Sequence, residues 1–208
     1  LVVTGNGPKV DINADKISVG SAEAGNFRGF RVTGKDNNVL TVHANEFISY
    51  TGDEIAHARN GLNIINLGTA DKHIGYFEAH TTWGKDDYGV ALLQANEGST
   101  VNLYADKAFL DGSTNKLGGV IGTGGYGIVN VNVGDLTIDG NICGTYGTRN
   151  DPSQKAELNI VTNTLNMKGN VNIGSEGSGS SNFSRNTEVN IKVADKAVID
   201  GNINVLGN

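Results

Sequence analysis

The chain has 208 residues, a formal net charge of −6 and a single cysteine. This acidic balance leaves no basic stripe to neutralise phosphates, so we expect no nucleic-acid partner. The lone Cys143 excludes an internal disulfide framework and a cysteine-based zinc site. Glycine occurs 30 times and proline twice, a balance that favours many tight corners.

A short pattern of alternating apolar and polar residues recurs along the chain. It reads VDINADKISVGS from Val10, VNLYADKAFLDGS from Val101 and VNIKVADKAVIDGN from Val189. The copies begin at intervals of roughly 30 residues, a period typical of repeat architectures. The interval before the copy anchored at Leu62 is short and the next one is long, which predicts an irregularity between Leu62 and Val101. The anchors are Val10, Leu40, Leu62, Val101, Val129, Leu158 and Val189.

Each copy contains three short apolar segments. In the last copy they are Val189–Val193, Ala197–Ile199 and Ile203–Val205. Apolar residues alternate with period two, which indicates strands, and helical spacing is not sustained. The blades of a β-propeller are longer than this repeat. The sequence therefore predicts an all-β fold, a parallel β-helix (β-solenoid) of about seven turns of roughly 30 residues, with residues 1–208 as a single domain.

The alternation also predicts which side chains face inward. Between the apolar residues of the first segment lies a repeated asparagine, which predicts a ladder of amide hydrogen bonds from turn to turn. Repeated Asp-Gly pairs, such as Asp139-Gly140, predict sharp corners with positive φ at the glycine. The first inward column is predicted to be Ile12, Val42, Leu103, Val131, Ile160 and Ile191. The second is predicted to be Ile17, Ile48, Phe109, Ile138, Leu165 and Val198.

The irregular stretch from Gly68 to Gly98 concentrates aromatic and charged residues, including the only tryptophan. We expect a loop or hairpin inserted near 68–98, because a β-helix tolerates insertions at its corners and such loops commonly carry function. The alternative is that these aromatics only cover an irregular turn. The predicted ligand-binding residues are Tyr76, His80, Trp83, Lys85, Asp86, Asp87 and Tyr88.

The sequence indicates no catalytic centre, metal site or cofactor. The four histidines lack the spacing of a zinc-binding helix. Asp86-Asp87 offers oxygen ligands for calcium, but the glycine-rich nonapeptides of calcium-binding β-rolls do not occur. Asp111 and Asp139 recur before glycine, so corner formation explains them without catalysis. An enzyme is therefore not expected.

Phrases such as ADKAVIDGNINV and GDLTIDGNICG, in a background rich in Gly, Asn, Asp and Thr, resemble the passenger domains of bacterial monomeric autotransporters. The resemblance covers the whole chain and rests on degenerate repeats. It implies a right-handed β-helix, a fragment of a longer passenger that is displayed on, or released from, a Gram-negative outer membrane. The C-terminal β-barrel of that family is absent from this sequence, so contact with a membrane is expected only through such a barrel.

Adhesion is the commonest role that this resemblance implies. We therefore expect a surface-displayed or secreted adhesion module that binds a host or bacterial surface ligand, either a glycan or a protein. Self-association between copies on neighbouring cells is a third kind of contact. Two alternatives remain open: a carbohydrate-active β-helix enzyme, such as a polysaccharide lyase or hydrolase, and a purely structural stalk.

Overall fold

The computed structural model describes residues 1–22, 28–35, 37–81, 91–113, 119–124, 126–146, 155–173 and 187–205. These residues form strands and turns, and no helix occurs among them. The strands stack into a parallel β-solenoid of about five turns, and the predicted count of about seven is not confirmed. The all-β solenoid predicted from the repeat period is therefore confirmed.

Eighteen strands lie within the described residues. They are β1 (Val2–Gly5), β2 (Lys9–Asn13), β3 (Lys16–Val19), β4 (Phe30–Gly34), β5 (Val39–His43), β6 (Glu46–Thr51), β7 (Ala56–Ala58), β8 (Ile64–Leu67), β9 (Ile74–Thr81), β10 (Leu93–Asn96), β11 (Thr100–Asp111), β12 (Gly119–Gly124), β13 (Ile128–Asp139), β14 (Asn141–Tyr146), β15 (Ala156–Lys168), β16 (Val171–Ile173), β17 (Thr187–Asp200) and β18 (Ile203–Val205).

The strands form two parallel sheets. The eight-stranded sheet has the order β1-β4-β7-β10-β12-β14-β16-β18, so each strand pairs with its equivalent one turn on. The ten-stranded sheet contains the first and second segments of each repeat. These segments are separate strands in the early turns, as in β5 and β6, and merge into single strands of 12 to 14 residues in β11, β13, β15 and β17.

The space between the sheets is filled by the inward residues of each strand. The first predicted column is correct: Val42, Leu103, Val131 and Ile160 are fully buried, and the residues at its two ends are partly buried.

The second column is only partly correct. Ile138 and Leu165 are buried, and Ile17 packs against the core. Ile48, Phe109 and Val198 instead lie on the outer face, because their neighbours take the inward positions, as Phe47 and Ser49 do beside Ile48. A shift of one residue moves every side chain of a strand to the opposite face.

The repeat anchor at Leu62 is also wrong. Asn66, not Asn63, pairs with Asn102 in the ladder of parallel strands, so the repeat begins at Ile65. Leu62 is exposed. Asn63 is buried at a corner, where its Oδ1 accepts a hydrogen bond from Nδ2 of Asn38 at 2.6 Å. This Asn pair at the corner gives the sequence a second apolar-Asn-apolar triplet beside that of the ladder.

The predicted Asn ladder forms on the outer face of the ten-stranded sheet. Each amide donates to the residue one turn earlier over 2.8 to 3.3 Å, from Asn190 to Asn159, Asn130, Asn102, Asn66 and finally the Thr41 hydroxyl.

The corner glycines act in two ways. Gly140 has the predicted positive φ, 140°. Gly201 does not, and is required there because a Cβ atom would collide with the carbonyl oxygen of Gly169. Glycine is therefore needed at the Asp200-Gly201 corner because two turns approach each other closely there.

The insertion predicted near 68–98 is not confirmed. Within this stretch β9 pairs in register with β6 and β11, and β10 pairs with β7 and β12, so both belong to the regular stack. A strand that continues the hydrogen-bonded ladders on both sides cannot be an irregular loop. Residues 82–90 lie outside the described residues, and a loop there stays a prediction.

Candidate functional site

Two of the predicted ligand-binding residues, Tyr76 and His80, lie on β9 in the ten-stranded sheet. The other five lie outside the described residues: Trp83, Lys85, Asp86, Asp87 and Tyr88. Tyr76 and His80 are four residues apart on one strand, so both point to the outer face together with Glu78. The intervening Phe77 and Ala79 are fully buried in the core.

A chain of hydrogen bonds joins these outward residues. The Tyr76 hydroxyl donates to Glu78 Oε2 at 2.6 Å, and Glu78 Oε1 lies 2.6 Å from His80 Nε2. On the neighbouring strand β11, Asp111 Oδ2 lies 3.0 Å from the other ring nitrogen, His80 Nδ1. We call these four residues, together with Tyr50 on the other neighbouring strand β6, the His80 cluster.

Aromatic rings hold the His80 imidazole on both sides. The ring of Tyr50, one turn earlier on β6, stacks on it with centroids 4.5 Å apart and an angle of 4° between the planes. Phe109 on β11 meets it edge-on at 5.4 Å. Such offset and edge contacts between rings are favourable. They fix the orientation of the imidazole between its two carboxylates.

The carboxylates of the His80 cluster are stabilised in their ionised form. The hydrogen bonds from Tyr76 and then from His80 lower the pKa of Glu78. Burial acts to raise the pKa of Asp111, but hydrogen bonds from Ser113 and His80 together lower it. The hydrogen bond to Glu78, with partial burial, raises the pKa of Tyr76 to about 12. The cluster therefore presents two anionic carboxylates and a neutral phenol.

A groove beside the cluster runs along the corners of the later turns. In register, His80 neighbours Asp111, which is followed by Asp139, Lys168 and Asp200. The open groove has a volume of about 500 Å³ and is lined by Gly112, Ser113, Asp139, Gly140, Asn141, Lys168, Gly169 and Asp200. Charged and amide groups thus repeat along the rod at the spacing of one strand, about 4.8 Å.

A second group of ionisable residues lies where β6 leads into β7. Asp53, Glu54 and His57 are buried, with 2%, 5% and 5% of their surfaces exposed. Glu54 Oε1 lies 2.9 Å from His57 Nδ1. The Arg28 Nε group donates to Asp53 Oδ2 and lies 3.3 Å from Glu54 Oε2. We call Arg28, Asp53, Glu54 and His57 the Glu54 cluster.

The Glu54 cluster divides its charges unequally. Burial, together with the hydrogen bond and charge of Glu54, raises the pKa of Asp53 to about 6. Burial acts to raise the pKa of Glu54, but the close contact with His57 and the charge of its ring outweigh burial and lower the pKa to about 2. Asp53 Oδ1, Glu54 Oε2 and His57 Nδ1 are buried without a hydrogen bond of good geometry. At neutral pH the firmly ionised carboxylate is that of Glu54.

Sequence reasoning missed Glu78, Asp111 as a His80 partner, and the whole Glu54 cluster. Glu78 could have been found, because strand alternation places it between Tyr76 and His80 on the same face. The pairing of Asp111 with His80 could not be predicted, because it depends on the register between β9 and β11 across a repeat of irregular length. For Asp53-Glu54, nothing in the sequence signals that a charged corner is buried.

The described residues contain no group of three or more His, Cys, Asp or Glu side chains arranged to hold a metal ion. The part of the chain that the structure covers likewise has no helix of the length and apolarity needed to cross a membrane.

The fold defines the chain as a parallel β-solenoid. No protein-family model, curated protein or solved structure matches it significantly.

Proposed function

We propose that this protein is a surface-displayed or secreted adhesion module and that the His80 cluster binds a glycan. The observation that carries the proposal is the grouping of fixed carboxylates, an imidazole and aromatic rings on the outer face of the neighbouring strands β6, β9 and β11. Glycans are bound by aromatic rings against the apolar face of a sugar and by hydrogen bonds from its hydroxyls to fixed polar groups. Tyr76 is 37% exposed and is available for such a contact.

The groove beside the cluster supports an extended ligand. Asp111, Asp139, Lys168 and Asp200 follow one another at the spacing of the turns. A glycan chain lying along the rod axis meets one of these side chains in each turn. The two carboxylates and one ammonium between Asp139 and Asp200 favour a neutral chain, because a polyanion would be repelled.

The proposed adhesion role agrees with a particular form of the solenoid and a particular parent protein. We infer a right-handed β-helix of about seven turns that is part of a longer autotransporter passenger. Eight strands in one sheet support that number of turns. Trp83, Lys85, Asp86, Asp87 and Tyr88 remain predicted ligand contacts, and a protein ligand and self-association remain the alternatives to a glycan.

A carbohydrate-active enzyme is the second candidate, because Glu78 and Asp111 contact the same imidazole. A glycosidase needs one carboxylic acid that stays protonated and a second carboxylate that is ionised. The pKa values of both Glu78 and Asp111 are lowered. Neither carboxyl group is therefore poised to protonate a leaving group, and this favours binding over hydrolysis.

The test is to measure binding of the 208-residue chain to immobilised neutral and acidic glycans, together with release of reducing or unsaturated ends. We expect binding without cleavage, and a loss of about tenfold in affinity for Glu78→Gln, because a fixed charged acceptor is removed. Thr4→Ala, on the eight-stranded sheet, is the matched control and should bind like the wild type. Cleavage would establish the enzyme instead, and a chain that binds no glycan, protein or second copy would be a stalk.

A further inference from the structure

Arg31 lies on the eight-stranded sheet, away from the His80 cluster. It occupies the second position of β4, where Phe30 and Val32 on either side are buried in the core. Alternation therefore directs the Arg31 side chain to the outer face. Its neighbours in register are Val2 on β1 and His57 on β7.

The Nε atom of the Arg31 guanidinium lacks an acceptor. This atom is buried and has no hydrogen-bond partner, and within the described residues no carboxylate forms an ion pair with the guanidinium. A guanidinium carries five N–H donors and no acceptor, and a buried donor without a partner is unfavourable. The Arg31 guanidinium, on the outer face of the solenoid, is therefore a cation that an added acceptor would stabilise.

The charges around Arg31 are mainly positive. Burial, followed by the charges of Arg59 and Arg28, lowers the pKa of Arg31. Asp53 and Glu54 act in the opposite direction but more weakly, and both already contact Arg28. We call Arg28, Arg31 and Arg59 the Arg31 patch. Because both carboxylates pair with Arg28, neither neutralises Arg31 by direct contact.

We propose that the Arg31 patch binds an oxyanion, a carboxylate or sulfate group carried by an acidic ligand, with the Arg31 guanidinium as the central contact. Arginine suits this role because its planar fork matches two oxygens of such a group. The bound oxygens supply the missing acceptor for Arg31. They also offset the repulsion from Arg28 and Arg59. The site lies on a different sheet from the His80 cluster and does not depend on glycan binding there.

The experiment titrates the 208-residue chain with sodium sulfate and with sodium glucuronate, and follows the backbone amide signals by NMR. Sodium chloride at the same ionic strength corrects for screening, and glucose is the uncharged control for glucuronate. We expect saturable shifts centred on β4 and β7 with both oxyanions and none with glucose. A larger affinity for one anion identifies whether sulfate or carboxylate is the preferred group.

Arg31→Gln should weaken oxyanion binding by about tenfold or more, as expected for the loss of a charge-assisted contact. Arg31→Lys keeps the positive charge but lacks the planar guanidinium, so its affinity for the oxyanion should lie between those of the wild type and Arg31→Gln. Lys192→Gln, an exposed cation on the ten-stranded sheet, should bind like the wild type. Thermal unfolding followed by circular dichroism checks that each variant is folded. If Arg31→Gln does not fold, the weaker binding expected of Arg31→Lys provides the test. Equal binding by wild type and Arg31→Gln, or shifts no larger than those with chloride, would overturn the proposal.

Discussion

The His80 and Glu54 clusters place the same pair of side chains, a histidine and a glutamate, in two different environments. In the His80 cluster the His80 and Glu78 side chains are 16% and 19% exposed, and both ring nitrogens face carboxylates. In the Glu54 cluster the His57 and Glu54 side chains are 6% and 7% exposed, and three polar atoms lack a hydrogen bond of good geometry. One network is satisfied and accessible to solvent, and the other is buried and incomplete.

This difference separates a binding role from a structural one. Removing one partner of a buried ion pair is strongly destabilising, because the remaining charge has no water to solvate it. Removing one partner of a network that water reaches affects folding less, because water replaces the lost contact. Stability should therefore depend on Glu54 and ligand binding on Glu78. Three variants test this contrast.

The largest effect is expected for Glu54→Gln. The neutral amide leaves buried His57 and partly exposed Arg28 without their carboxylate, so the free energy of unfolding at pH 7 should fall by about 3 kcal/mol. Urea unfolding followed by circular dichroism measures this change. Glu46→Gln is the control, because Glu46 pairs with Lys16 at the surface, with 38% and 58% of their side chains exposed. Similar losses for both variants would show that burial does not distinguish the pairs.

An effect that depends on pH is expected for Asp53→Asn. The pKa of Asp53 is raised to about 6 in the folded chain, against about 3.9 when unfolded. The protonated carboxyl therefore stabilises the fold below about pH 4, and this contribution is lost as the pH rises through 6. Asparagine never ionises, so the stability of the variant relative to wild type should improve by about 2 kcal/mol between pH 4 and pH 7. Urea unfolding at these two pH values tests this, and a constant difference would contradict it.

The smallest effect is expected for Tyr76→Phe. The Tyr76 hydroxyl is the largest cause of the lowered pKa of Glu78, so its removal should raise that pKa. Carbon-13 NMR titration of the Glu78 carboxyl group measures the shift. The free energy of unfolding should change by less than about 1 kcal/mol, because Tyr76 is partly exposed. An unchanged Glu78 titration would show that the phenol does not set the charge of the cluster.

The repeat period and the two-residue alternation were sufficient to predict the solenoid and the Asn ladder. They failed where a neighbouring pattern imitates the repeat. Leu62-Asn63-Ile64 and Ile65-Asn66-Leu67 both read as apolar-Asn-apolar, and only the pairing of Asn66 with Asn102 identifies the strand. Ile48 and Phe109 were placed inward because they are apolar, although alternation within their own strands places them outside.

The candidate site was only partly predictable for a related reason. The concentration of aromatic and ionisable residues predicts Tyr76 and His80 as site residues, and the structure brings them together through Glu78. Their arrangement on a strand was not expected, because the irregular repeat suggested a loop. Burial of Asp53 and Glu54 arises from contacts between turns, which no local pattern encodes.

The Asn ladder gives the rod a chemical direction. Every amide donates toward the N-terminal turns, and the series ends at the hydroxyl of Thr41. At the opposite end, Asn190 donates to Asn159 and to Glu188, which occupies both of its N–H groups. Its carbonyl oxygen has no donor among the described residues. Any repeat unit stacked on β17, natural or designed, therefore continues the ladder only if it presents a donor such as Asn, Ser or Thr at that position, and an aspartate there would be repelled.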